Sequence, residues 1–165
     1  MEGSGSSGFD MNKLSTGAKI VAVSAIVYVI WTFLSFWYAV DLGPLGGSAG
    51  INGFRFPMII AWILALVALV GVGFTAMGTA MKMQMKPGTV QLIIAVLALV
   101  FTLLGLVIKP GGGLLSSVIK LSWGLFVGIA ITLVWSYGAY MWHSEPGASG
   151  GMGSSGGMGS GGMGA

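Results

Sequence analysis

The stretch TVQLIIAVLALVFTLLGLVI, residues 89–108, decides the fold. It runs for 20 residues without a charge, and at a rise of about 1.5 Å per residue such a helix matches the roughly 30 Å hydrocarbon core of a bilayer. Pro87-Gly88 and Lys109-Pro110-Gly111 bracket it as breakers. Within it, Ala95, Ala98, Thr102 and Gly105 recur at spacings of three and four and share one helical face. Small side chains in that register let another backbone approach closely, which is how helices associate where lipid removes the hydrophobic gain.

Three further runs extend the pattern outward. AKIVAVSAIVYVIWTFLSFWYAV, residues 18–40, is uncharged after Lys19, with Ser15 or Thr16 available as a cap. A second run begins at Phe56-Pro57, behind Arg55, and reaches Ala80; proline suits a first helical turn because its missing donor is unpaired there anyway. The last covers residues 114–142 and as one helix would measure roughly 43 Å, longer than the hydrocarbon core. It therefore tilts or starts outside: GLLSSVIKLSW fits an interfacial segment with Ser116, Ser117 and Lys120 toward water, and the crossing then begins near Trp123 or Gly124. The expected fold is an all-α membrane protein, a four-transmembrane-helix bundle over residues 17–142 with helices at about 18–40, 56–80, 89–108 and 114–142. A flexible segment, residues 1–16, precedes it and a disordered Gly/Ser/Met tail, residues 143–165, follows.

Composition agrees with this reading. Hydrophobic residues make up 55% and charged residues 7% of the chain, with a mean hydropathy of +0.94, against about 25% charged residues in soluble domains. Water is thus not its main solvent. The absence of cysteine excludes disulfides, thiolate metal sites and cysteine nucleophiles. A net charge of +3 comes from scattered basic residues without the clustered face that nucleic-acid binding needs. Acidic residues precede the first basic ones, and the first apolar run exceeds a signal-peptide core of roughly 7 to 15 residues, so it is expected to stay in the mature chain.

Lys13 and Lys19 precede the first run, and Lys82 and Lys86 separate the second from the third, on the same side of the bundle. The positive-inside tendency makes that side, and both termini, cytoplasmic, although Arg55, Lys109 and Lys120 oppose it. Trp37, Tyr38, Phe54, Phe56 and Trp123 are then expected as outer interfacial anchors, with Tyr137, Tyr140 and Trp142 on the inner side and Lys120 reaching for headgroups. A buried functional lysine is the costlier alternative at position 120.

The fourth run carries a row of its own: Lys120, Gly124, Gly128, Thr132, Ser136 and Tyr140 stand four apart. Gly124 and Gly128 form a GxxxG, read either as a dimer face or, more simply, as contact between neighbouring helices of one bundle. The second run offers Ala61, Ala65 and Gly73, and the first Ala18, Ala22 and Ala25.

No catalytic constellation is visible. Glu2, Asp10, Asp41 and Glu145 all lie outside the hydrocarbon spans, which removes the usual group for proton-coupled antiport. His143 has no second imidazole to join it in holding haem or metal. The serines lack a base, so an enzyme is not expected, nor a cofactor. Thioethers suit Cu(I), and Met81, Met83 and Met85 stand two apart, but Lys82 and Lys86 flank them and repel a cation.

VDLGPLGGSAGINGF, residues 40–54, is built from turn residues, and Asp41, Pro44 and Asn52-Gly53 suit a short hairpin. KLSTGAKI, FLSFWYAVDLG and NGF in succession resemble small uncharacterised four-span bacterial integral membrane proteins with an aromatic WY-x-V-D-x-G outer loop. The resemblance covers the first third of the chain and implies a multi-pass inner-membrane protein; it transfers no activity. The functional expectation is a non-enzymatic accessory or scaffold protein in the lipid bilayer, packing with itself or with a larger membrane complex through small-residue faces. The alternative is a homo-oligomeric channel or transporter for a small solute, Cu(I) being one variant, with Gln91, Thr102, Thr132 and Ser136 as its polar strip.

Overall fold

The computed structural model describes residues 14–41, 46–77, 86–108 and 119–145. Their elements, in chain order, are α1 (Thr16–Phe33), β1 (Tyr38–Asp41), β2 (Ser48–Ile51), α2 (Met58–Ala76), α3 (Pro87–Val107), β3 (Ile119–Leu121) and α4 (Trp123–Ser144). Ser15 starts α1 by accepting the Ala18 amide on its side chain at 3.2 Å, satisfying one of the orphan donors of the first turn. Pro87 opens α3 at a position that needs no donor.

The four helices contain 18 to 22 residues and are long and apolar enough to cross a membrane. They run up and down in turn: α1 packs on α2, α2 on α3, α3 on α4 and α4 back on α1. Burial follows one spacing throughout. The inward positions are Ala18, Val21, Ala25, Tyr28 and Thr32 on α1, and Met58, Ala61, Ala65, Ala68 and Val72 on α2. On α3 they are Gly88, Gln91, Ala95, Ala98, Thr102 and Gly105, and on α4 Leu125, Gly128, Thr132, Trp135, Ala139 and Trp142. Alternating steps of three and four residues keep each stripe facing its neighbours, the geometry of left-handed helix bundles.

Size is sorted against the habit of a soluble core. Alanine fills much of the interior of α2 and α3, while Ile63, Val70, Ile93, Val100, Phe126 and Leu133 are exposed on the outside. Contiguous apolar surface on that scale does not persist in water. Hydrocarbon is the solvent that tolerates it, and close backbone approach through alanine and glycine is what holds helices together there.

The architecture departs from an all-α bundle in a three-stranded sheet of order β2-β1-β3 at one end. β1 pairs antiparallel with β2 (Tyr38↔Ile51 to Asp41↔Ser48) and with β3 (Tyr38↔Leu121 to Val40↔Ile119). The first helix therefore ends at Phe33, not near residue 40, and the fourth starts at Trp123, the start expected if the run begins outside the crossing, and not at 114. In each run some of the described residues outside the helix, Tyr38–Asp41 and Ile119–Leu121, are strand instead. Residues such as Tyr38, Val40 and Ile119 are apolar because they cover the end of the bundle and suit a strand as well as a helix. The hairpin expected between the first two crossings is present, and Gly46 and Gly47 enter β2 at φ of 70° and 105°, where a side chain would be strained. Pro44 lies outside the described residues, as do residues 1–13, 109–118 and 146–165.

This sorting generates a mutational contrast. Ala98→Leu, which forces bulk into the closed interior, is expected to cost about 1–3 kcal/mol, whereas Leu97→Ala on the outer face should change stability by no more than about 0.5 kcal/mol. Thermal unfolding of both variants in one detergent checks it; equal losses would contradict the inside-out packing.

Candidate functional site

The most elaborate packing lies beneath the sheet, where the chain leaving α1 folds back over the helix ends. The Leu34 amide donates to the Trp31 carbonyl at 3.1 Å, and Trp37 turns inward, its indole Nε1 donating to the same carbonyl at 2.9 Å. The ring lies against Gly53 and Gly128, and a Cβ built on Gly128 would sit 2.5 Å from its Cη2. Gly124 meets the Phe36 backbone at similarly close range, and its amide donates to the Phe36 carbonyl at 3.0 Å. The Trp31 indole returns a bond to the Gly124 carbonyl at 2.9 Å. Thus the GxxxG of α4 receives the segment after α1 of the same chain, and its missing side chains are the socket for a backbone turn and an indole.

Around that socket the buried hydroxyls are ordered. Thr102 Oγ1 donates to its own helix at the Ala98 carbonyl (2.8 Å), so the Tyr28 hydroxyl, 2.9 Å away, is the donor in the bond that ties α1 to α3 across the core. Tyr28 meets Trp37 edge-on, centroids 5.9 Å apart, and tilts against Trp135 at 6.3 Å. The Tyr38 hydroxyl donates to the Gly105 carbonyl at 3.0 Å and lies beside Met58 Sδ. Burial pushes the Tyr38 phenol from its ordinary 10.0 up to about 12, because the phenolate would lose its hydration.

Trp37 and Tyr38 are thus core residues, both at 0% exposure, rather than interfacial anchors, and Trp142 at 3% is also buried. Of the expected anchors, Trp123 is exposed at 56%, edge-on to Trp31 and tilted against Phe36. Across the same end the expected anchor Phe54 clusters with Phe33 and Trp62, which sequence reasoning missed, the Phe33 and Phe54 centroids lying 4.7 Å apart. These two clusters form the aromatic rim that the interface favours. Lys120 stands on β3 and pairs with Asp41 at 2.8 Å, both well exposed. The Asp41 carboxylate holds the Lys120 ammonium above its usual range, first by the hydrogen bond and then by charge. So exposed a pair adds little stability; it links the middle of β3 diagonally to the end of β1.

Several further polar side chains bond backbone carbonyls. Thr132 bonds the Gly128 and Ile129 carbonyls, and Ser136 the Thr132 carbonyl at 2.8 Å and the Ala95 carbonyl of α3 at 3.4 Å. Gln91 Nε2 reaches the Ala68 carbonyl of α2 at 3.0 Å, its amide lying against Gly71. Gln91 Oε1 and the Trp62 and Trp135 indole nitrogens are buried without a partner. At the end opposite the sheet, Thr89 meets His143 Nδ1 at 3.0 Å, and Glu145 accepts the Gly17 amide at 3.3 Å, a carboxylate at the positive end of α1.

Chemically, this is an assembly of locks. Among the described residues no group of three or more His, Asp or Glu is placed to hold a metal. The candidate copper ligands Met81, Met83 and Met85 lie outside the described residues. Ala98, Thr102 and Gly105 face the core from α3, as Gly124, Gly128 and Thr132 do from α4, with Ser136 half-buried beside them. Gly73, grouped with them from sequence, faces open space.

Two outcomes follow. Gly128→Ala is expected to displace the Trp37 ring and cost about 1–3 kcal/mol, while Gly73→Ala, which meets no neighbour, should gain up to about 1 kcal/mol of helix stability; unfolding midpoints with tryptophan fluorescence distinguish them. For Tyr38 the raised value means that the fold favours the neutral phenol. That contribution is fully present below pH 10, where the unfolded phenol is neutral too, and is lost as pH rises toward about 12. Tyr38→Phe should therefore flatten the alkaline limb of a stability titration.

Comparison with protein-family models, with curated proteins and with solved structures returns no match.

Proposed function

We propose that the chain is a non-enzymatic accessory or scaffold protein of the bacterial inner membrane, serving a larger membrane complex, with both termini cytoplasmic and the three-stranded sheet outside. One observation supports this above others: the interior beneath the sheet is filled by Tyr28, Trp37, Tyr38 and Trp135, and its hydroxyls close on groups of the same chain. A transporter or a pore through the bundle needs polar groups free to face solute. Of the residues suited to such a strip, Thr102, Thr132 and Ser136 each bond a backbone carbonyl, as does Gln91 through Nε2, which leaves only the Gln91 Oε1 among them unpartnered.

The small-residue faces are engaged within the chain, so a partner meets other surfaces. The sheet end offers β2, whose Ser48, Ala49 and Gly50 are exposed and which forms an edge of the sheet. An edge strand presents unpaired backbone groups that another chain can extend. Lys19 and Lys86 sit at the opposite end, which the positive-inside tendency assigns to the cytoplasm.

Gentle extraction followed by intact-complex mass spectrometry tests the proposal. A stable heteromer is the expected result; a pure homo-oligomer, or a monomer under conditions that preserve known complexes of the same membrane, would overturn it.

A further inference from the structure

On the outer surface of the bundle, side chains of α1 and α4 line an apolar groove of about 520 Å³. Its floor exists because two small residues face it, Ser24 from α1 and Ala130 from α4, between the β-branched walls Val23, Val27 and Val134. The Ser24 hydroxyl is turned back onto its own helix, donating to the Ile20 carbonyl at 2.7 Å with the Val21 carbonyl at 3.2 Å, so the groove is offered hydrocarbon. Lys19 stands at one end of the groove and is exposed. Among the described residues the single ion pair, Lys120 with Asp41, lies at the far end of the molecule.

Depth and charge together select an occupant. From Lys19 to Val27 the groove descends eight residues along α1, roughly 12 Å at a helical rise, which approaches the roughly 15 Å of one leaflet, half the hydrocarbon core. An acyl chain entering at the surface beside Lys19 ends near the middle of the bilayer. A lysine at the mouth favours an anionic headgroup over a zwitterionic one. We infer that this groove is a binding site for one acyl chain of an anionic phospholipid, whose headgroup pairs with Lys19. The inference rests on the helices spanning a bilayer.

The full chain, reconstituted in vesicles of equal phosphatidylglycerol and phosphatidylcholine and gently extracted, is examined by native mass spectrometry. Retained phosphatidylglycerol is expected to exceed phosphatidylcholine about fivefold, the effect of one lysine near an anionic surface. Lys19→Gln should abolish that preference. Ala130→Phe, a change at an exposed position, should fill the groove and remove the retained lipid, whereas Lys86→Gln, at the same end but outside the groove, should leave the preference intact. Equal retention of the two lipids, a preference indifferent to Lys19→Gln, or cross-linking of the Val23 and Val134 faces to a second copy would each overturn the site while leaving the spanning fold standing. A chain that associates with no lipid would remove the spanning reading itself.

Discussion

The indole of Trp37 can enter the head of the bundle only because position 128 carries no side chain. Much else depends on that contact. It turns the chain away from α1, holds β1 across the helix ends and brings Phe36 onto Gly124. β3 then has a strand to pair with, and α4 begins immediately after it. Glycine serves here as a socket, with helix-to-helix backbone contact confined to other sites, such as Gly17 against Trp142 and Gly88 against His143.

Below that head, the bundle follows from its solvent. In lipid, burying a large aliphatic side chain between helices gains little, whereas close backbone contact gains dispersion on both sides. Alanine, glycine and threonine therefore recur along the inward stripes beside a few large side chains such as Val21, Met58 and Leu125, while many leucines, isoleucines and valines face outward. Threonine and serine fit that interior because their hydroxyls fold back onto the carbonyl a turn earlier, as at Thr32, Thr102 and Thr132, and so bury no free donor. Tyr28 reaches across instead, joining α1 to α3, and Ser136 adds a longer bond from α4 to α3.

A molecule built this way has closed its polar chemistry inward and keeps its outward chemistry at the two ends and along the helix surfaces. The sheet end carries an open strand edge, an ion pair and an aromatic rim; the other end carries lysines, and the α1–α4 surface an apolar groove that begins at one of them.

The sequence by itself determined four apolar crossings, the small-residue faces within them and the cap at Ser15, because hydrocarbon thickness fixes helix length and period fixes a face. It also signalled the hairpin between the first two helices through its turn residues. It did not determine where hydrophobic runs stop being helix, since Trp37, Tyr38 and Ile119 are apolar whether they face lipid or cap a bundle, and hydropathy carries no direction. Nor did it determine what fills Gly124 and Gly128, or that Lys120 meets Asp41 across 79 positions. Those contacts join segments far apart in the chain, and tertiary structure alone brings them together, because the return of the segment after α1 brings β1 within bonding distance of β3.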